Sequence, residues 1–282
     1  MTDPSSTTTG SHREPPEIDT TVAHSARVYD YLLGGIDNFA VDREAAEQQV
    51  KAVGGSLEDS RADIVANRAF LGRAVRYLAD EVGIRQFLDL GTGIPNADNV
   101  HGVAQQTAPD ARIVYVDHDP IVLAHAHKLL KSTSQGATAY VDGDLREPDK
   151  VFRQAAATLD LTKPVAVILV SILHHIPDQE DPYEIVARYM NGVPSGSHLV
   201  ISHLTKDIRT EAMTKLESSA PPDARYLFHM RSQTEVARFF EGMELVEPGV
   251  VTVDQWRPDA TRPPSRADAE PVAFWCAVGR KP

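Results

Sequence analysis

Phe87-Leu-Asp-Leu-Gly-Thr-Gly-Ile-Pro-Asn96 reads as a buried strand that runs into a glycine turn, with a helix to follow. Gly91 and Gly93 let backbone N–H groups approach a ligand seated over the helix N-terminus. In an open parallel sheet the first such crossover is where ligands bind. The dinucleotide fingerprint G-x-G-x-x-G requires a third glycine, and this chain has Asn96 there. Asp89 precedes the glycines by two places and points at the turn. A carboxylate beside a pyrophosphate repels it, whereas an ammonium or sulfonium is attracted. The turn is therefore expected to take a ligand with a positive end.

Working outward, short apolar strands are expected at Gln86–Leu90, Arg112–Asp117, Ala137–Val141, Val165–Ser171 and His198–His203. Helical patterns lie between them near Ala97–Gln106, Pro120–Lys131, Asp149–Ala157 and Pro182–Met190. Strands apolar on both faces that alternate with helices predict an α/β fold, doubly wound and mostly parallel, of Rossmann-like type. After a helix near Lys206–Ser218, Ser232 and Glu235 have capping-box spacing for a second. Met243–Val246, Val250–Val253 and Val272–Val278 are then strand-like with no helix between them. The last two, joined by a loop containing Pro258, Pro263, Pro264 and Pro271, predict an antiparallel hairpin and an antiparallel C-terminal edge strand.

Residues 1–20 are Ser, Thr, Pro and acid, too polar to offset ordering, and are expected to be a disordered tail. Residues 21–83 read as an N-terminal helical extension ahead of the main domain at 84–282. Gly34-Gly35 ends its first helix, Asp42 is placed as N-cap of the second, which ends at Gly54-Gly55, and Leu57–Val82 is the third. Tyr29, Tyr31, Gly34 and Gly35 are candidate lid and substrate residues, because they gather aromatics and a turn in one short segment. The loop Trp256–Pro271 is the other candidate wall.

The second strand ends in Asp117, 26 residues beyond Gly91, where an acid accepts hydrogen bonds from ribose hydroxyls. Asp119, followed by Pro120, already serves as the next helix's N-cap, which leaves Asp117 for a ligand. The third strand ends in Asp142-Gly-Asp144-Leu145, where Asp144 has the chemistry to accept from an adenine amino group.

Asp89-Leu-Gly-Thr-Gly93, Asp117 and Asp144 together resemble the successive motifs of class I S-adenosylmethionine-dependent methyltransferases. The opening Arg27-Val-Tyr-Asp-Tyr-Leu-Leu-Gly-Gly35, with Asn38-Phe39, Asp42-Arg43, Asp144-Leu-Arg146 and His174-His175, narrows this. It is similar to the actinobacterial S-adenosyl methyltransferase family of unassigned substrate, from about Ser25 to the C-terminus. The resemblance implies S-adenosyl-L-methionine as cofactor, with Gly91 and Gly93 passing its methionine portion and Asp89 near its amino group. Asp117 would hold the ribose and Asp144 with Leu145 the adenine. Thr92, His118 and Ser171 complete the expected cofactor set.

Methyl transfer from a sulfonium needs alignment above all, and no metal is expected. His174 and His175 should sit at the mouth of the fourth strand, and are the candidate general bases for a hydroxyl acceptor, His174 first. His203 is a weaker candidate. His125 and His127 diverge on a helix and should not form a metal site. Cys276, the only cysteine, lies in an apolar strand and is expected in the core.

Lys and Arg number 28 against 40 Asp and Glu, giving a net charge of −12 that disfavours nucleic acid as partner. Ser171-Ile-Leu-His-His also lacks the Asn/Asp-Pro-Pro-aromatic motif of amino-directed DNA methyltransferases. The longest apolar run, Val165–Val170, is too short for a membrane span, and no export signal opens the chain, so a cytoplasmic protein is expected. The expected activity is methyl transfer to oxygen or nitrogen of a small molecule. A cofactor-binding sensor or accessory protein without turnover is the alternative. A nicotinamide-dependent oxidoreductase fits less well, since Asn96 breaks the fingerprint and no Tyr-x-x-x-Lys pair is found.

Overall fold

A computed structural model describes residues 18–95, 99–122, 124, 132–219, 227–258 and 271–282. Most of the expected tail, Asn96, His125, His127, Pro263, Pro264 and much of the Pro120–Lys131 helix lie outside the described residues.

The first three helices among the described residues are α1 (Ser25–Leu32), α2 (Ala40–Val53) and α3 (Leu57–Tyr77), the last running on into a π-helical turn at Leu78–Val82. Their stops are glycines in the left-handed region: Gly34 after α1, Gly54 after α2 and Gly83 after the π turn. Asp42 is not the N-cap of α2. Phe39 holds that position, and Asp42 sits one turn inside, where its carboxylate accepts from the Phe39 N–H at 2.9 Å and the His24 N–H at 3.0 Å. Arg27 Nε lies 3.1 Å from the same carboxylate, so this buried acid ties α1 to α2.

Strands β1 (Gln86–Leu90), β2 (Arg112–Asp117), β3 (Ala137–Asp142), β4 (Ala166–Val170) and β5 (His198–Leu204) are joined in parallel in the order β3-β2-β1-β4-β5. The order reverses between β1 and β4, which is the switch point of a doubly wound sheet. Helices α4 (Val100–Thr107), α5 (Pro148–Ala155) and α6 (Pro182–Asn191) follow in the crossovers. Past β5 come α7 (Thr210–Ser219) and α8 (Gln233–Arg238), and α8 opens with the expected Ser232–Glu235 capping box. Strands β6 (Glu244–Leu245), β7 (Val251–Thr252) and β8 (Phe274–Arg280) close the sheet. The antiparallel strand is β8. It lies between β5 and the short pieces β6 and β7, both of which pair with its other side.

Alternation along each strand divides the core. Phe87, Ile113, Ile168, Val200 and Cys276 face α3 and α4. Leu88, Val114, Leu169, Ile201 and Ala277 face α5, α6 and α8. All are below 1 % exposed, and each of the Phe, Leu, Ile and Val side chains contributes about 1.5–3 kcal/mol by burial. The same alternation turns Asp89 and Asp117 toward the α3–α4 face. No helix among the described residues is long and apolar enough to cross a membrane. Among them there is also no cluster of three or more His, Cys, Asp or Glu side chains placed to hold a metal.

Candidate functional site

The strand ends, not the strands, carry the polar chemistry. A cavity of about 290 Å³ lies over the C-terminal ends of β1, β2, β4 and β5 and is roofed by α1, α2 and α3. Asp89, Gly91, Thr92, Gly93, Asp117, His118, Leu145, Ser171, His174, His175 and Tyr29 all line it. Asp144, Tyr31, Gly34 and Gly35 do not.

The glycine turn is built as its sequence demands. Gly91 and Gly93 have φ of 68° and 65°. A Cβ on Gly91 would stand 2.4 Å from Ile172 Cγ1, whereas Gly93 faces open space. Gly91 N–H donates to the Val116 carbonyl at 2.8 Å, and Gly93 N–H donates to Asp117 Oδ2 at 2.9 Å. The other Asp117 oxygen accepts from the His118 and Asp119 N–H groups at 2.8 and 3.0 Å. Burial nevertheless raises the Asp117 carboxyl above its ordinary value, these backbone bonds opposing it. Asp119 caps the following helix through the Ile121 N–H at 3.0 Å, as expected. Its second oxygen meets His24 Nδ1 at 2.7 Å, a tie from the N-terminal segment to the end of β2.

Asp89 is 5 % exposed and accepts from the Thr92 hydroxyl at 3.1 Å. Burial pushes its carboxyl up to about 6, against the opposing charge of Arg68. Arg68 reaches this loop from α3 and donates to Asn99 Oδ1 at 3.1 Å. Sequence reading overlooked Arg68, because one polar residue on a long amphipathic helix looks like solvent-facing surface.

Asp144 is turned to Arg146, accepting from its N–H at 2.9 Å and lying 3.3 Å from its guanidinium. Leu145 and Gly143 line the cavity in its place. Gly34 and Gly35 build a turn instead of a wall: a Cβ on Gly35 would stand 2.0 Å from Asp30 Oδ1. That carboxylate accepts from Asp37 N–H at 3.0 Å and Asn38 Nδ2 at 2.8 Å. Tyr31 lies beneath the Arg61 guanidinium and packs into the α1–α2 cluster.

Tyr29 heads a chain of polar groups invisible in the sequence. Asn67 Nδ2 donates to the Tyr29 hydroxyl at 3.0 Å, and Asn67 Oδ1 accepts from the Ser202 hydroxyl at 2.6 Å. The Ser202 hydroxyl in turn accepts from the Ser171 N–H at 3.1 Å. Ser171 holds φ of 60°, unusual for a non-glycine residue and found where a site over-determines its backbone.

The histidines stand in an aromatic nest. The rings of His174 and His175 are 4.4 Å apart, with Phe228 at 5.7 and 5.4 Å from them. His174 is 2 % exposed, and burial lowers it well below the usual imidazole range. Burial also lowers His175, to about 4, and its Nδ1–H donates to the Leu227 carbonyl at 3.1 Å. Both rings are therefore neutral at pH 7, and His175 is the more accessible. His203 has neither nitrogen to spare: Nδ1 bonds the Leu204 carbonyl at 2.7 Å, and Nε2 accepts from Arg231 at 2.9 Å. Arg231 also donates to the Leu173 and Ile176 carbonyls at 3.1 and 2.9 Å, which fixes the turn bearing His174 and His175.

Comparison with known proteins agrees with this geometry. Residues 11–282 match the model of a family described as S-adenosyl methyltransferase. The chain is similar to the crystal structure of a DUF574 family protein from Streptomyces avermitilis MA-4680. That match has 42 % identity and a TM-score of 0.88, and covers 94 % of this chain and 100 % of that one. It is also similar to a crystal structure from Thermobifida fusca YX at 37 % identity and a TM-score of 0.82, covering 96 % and 99 %. None of the curated proteins compared matches it.

Proposed function

The chain belongs to the S-adenosyl methyltransferase family, and from that premise we propose that it transfers a methyl group from S-adenosyl-L-methionine to oxygen or nitrogen of a small-molecule acceptor. The observation that carries the reading is the cavity over the switch point, with Asp89 and Asp117 behind a glycine turn packed so closely that a Cβ at Gly91 would strike Ile172. The donor set fits the group: a buried carboxylate suits an ammonium, a second suits ribose hydroxyls, and no third glycine admits a pyrophosphate.

S-adenosyl-L-methionine supplies an electrophilic methyl on its sulfonium. Asp89 would face its amino group, Gly91, Thr92 and Gly93 its methionine portion, Asp117 and His118 its ribose, and Gly143 with Leu145 its adenine, the expected Asp144 being turned away to Arg146. Ser171 borders the same space at the end of β4. The N-terminal helices act as the roof, since Val28, Tyr29 and Leu32 close the cavity and His24 anchors them to Asp119. Alignment does most of the work, because enclosing both reactants converts an encounter into a positioned displacement. His175 Nε2 takes a hydrogen bond from the acceptor and holds it in line. A ring lowered to about 4 is a weak base, which assigns it orientation over proton abstraction.

Calorimetric titration with S-adenosylhomocysteine tests the cofactor half. Micromolar binding by wild type that collapses in Asp117→Ala supports it, and no binding to wild type overturns it. Release of labelled methyl into extract-derived acceptors separates turnover from the sensor reading.

A further inference from the structure

The two halves of the cavity differ in chemistry. Over β1 and β2 the wall is carboxylate and glycine backbone. Across the switch point, over β4, β5 and β8, it is Leu204, Met213, Leu216, Phe228 and Phe274, faced by Val50 of α2. This chamber also holds Arg209, at the start of α7. Its Nη2 pairs with Asp63 of α3, and both side chains are about one-fifth exposed, at 21 % and 20 %. Nε is sealed from the cavity without a partner, and among the described residues no acceptor takes a hydrogen bond from Nη1. Arg209 also holds φ of 53°, a conformation that costs a non-glycine residue energy and persists where the surroundings impose it.

We propose that this chamber takes a neutral, largely apolar methyl acceptor that presents a carbonyl-type oxygen to the Arg209 guanidinium. The inference rests on the methyltransferase reading of the site and names its substrate class.

An anionic acceptor finds no counter-charge here. The Arg209 charge is already matched by Asp63, and Asp59 and Asp254 add negative potential around that pair. The other guanidiniums of the wall are engaged, Arg68 beside Asp89 and on Asn99, Arg146 with Asp144 and Glu180. His174 and His175 are neutral through burial. A carboxylate or phosphate would lose its hydration against an apolar wall with no cation in exchange. A neutral oxygen suffers no such loss, and Arg209 Nη1, which bonds no described residue and is not sealed in as Nε is, remains to donate to it.

The test titrates the full chain first with S-adenosylhomocysteine, then, at saturation, with 1-indanone, indane and 1-indanecarboxylate. These share one apolar body and differ in carrying a neutral oxygen, none, or a charge. The expected result is that the ketone binds about tenfold or more tightly than either of the others, the gain from one hydrogen bond to a charged group. Arg209→Lys keeps the charge beside Asp63 and removes the guanidinium fork. It should bring the ketone down to the level of indane while leaving indane and S-adenosylhomocysteine unchanged, which a misfolded variant would not do. Tightest binding by the carboxylate, equal binding of ketone and indane, or an unchanged ketone affinity in Arg209→Lys would each overturn the proposal. Binding of S-adenosylhomocysteine without any probe binding sinks this inference and spares the cofactor reading. The expected probe order without S-adenosylhomocysteine binding, seen with the probes alone, does the reverse.

Discussion

Asp117 Oδ2 accepts the Gly93 N–H at 2.9 Å, so the acid at the end of β2 holds the glycine turn at the end of β1. The group proposed to bind ribose is thus also the strut of the loop proposed to hold the amino-acid end. Asp117→Asn would set an amide N–H₂ against backbone donors from Gly93, His118 or Asp119. We expect S-adenosylhomocysteine affinity to fall about tenfold or more, with about 1–3 kcal/mol lost in denaturant unfolding. Unchanged affinity would separate the strut from the binding site.

Gly91 and Gly93 share a backbone conformation but not a neighbourhood. Gly91→Ala adds a clash with Ile172 to the cost of a left-handed alanine, about 2–4 kcal/mol together. Gly93→Ala meets nothing within 4 Å and should cost only about 1 kcal/mol. Paired urea titrations check the difference, and similar losses for both would refute the role of Ile172.

Asp89 makes cofactor binding pH-dependent. Its carboxyl sits at about 6 in the ligand-free protein, so below that pH it is protonated and attracts an ammonium weakly. Affinity for S-adenosylhomocysteine should therefore rise with pH and level off above about 6. Asp89→Asn should flatten the profile. The same raised value means that the folded state binds more protons than the unfolded between about pH 4 and 6, so this residue's contribution to stability falls as pH rises through that window.

The histidine cluster acts in the opposite sense. His175 is lowered to about 4 and His203 to about 3, chiefly by burial, so the unfolded chain binds more protons than the folded one below about pH 6.5. Stability from these rings is complete above that pH and is lost as it falls toward 4, by a few kcal/mol in all, outweighing Asp89. Urea midpoints from pH 7 to 4.5 should drop in wild type and drop less steeply in His203→Gln. A parallel slope in both would contradict the assignment.

Asn67 joins the roof to the strand ends. Asn67→Ala strands the Ser202 hydroxyl at 0 % exposure and opens a cavity, an expected cost of about 2–4 kcal/mol. Tyr29→Phe leaves only one Asn67 donor without its acceptor and should cost about 1–2 kcal/mol. Because the two share one bond, the double variant should cost less than the sum. Simple additivity would mean that the chain is not coupled.

Strands, the crossover helices among the described residues, the glycine turn and the acids at the strand ends were legible in order and type from local sequence. The reason is physical: a strand buried on both faces must be apolar throughout, as Phe87–Leu90 and Val165–Val170 are except at Asp89. A left-handed turn calls for glycine at Gly91 and Gly93, and a polar residue breaking such a run marks a candidate site. Tertiary structure alone decided the rest. Asp144 is turned to Arg146, Gly35 is reserved for the Asp30 carboxylate, Arg68 and Asn67 reach inward from α3, and burial makes His174 and His175 neutral. Arg68 and Asn67 meet residues distant along the chain, the state of the histidines depends on how much water remains around them, and the short-range contacts of Asp144 and Gly35 turn on side-chain orientation, none of which a local pattern of residue types encodes.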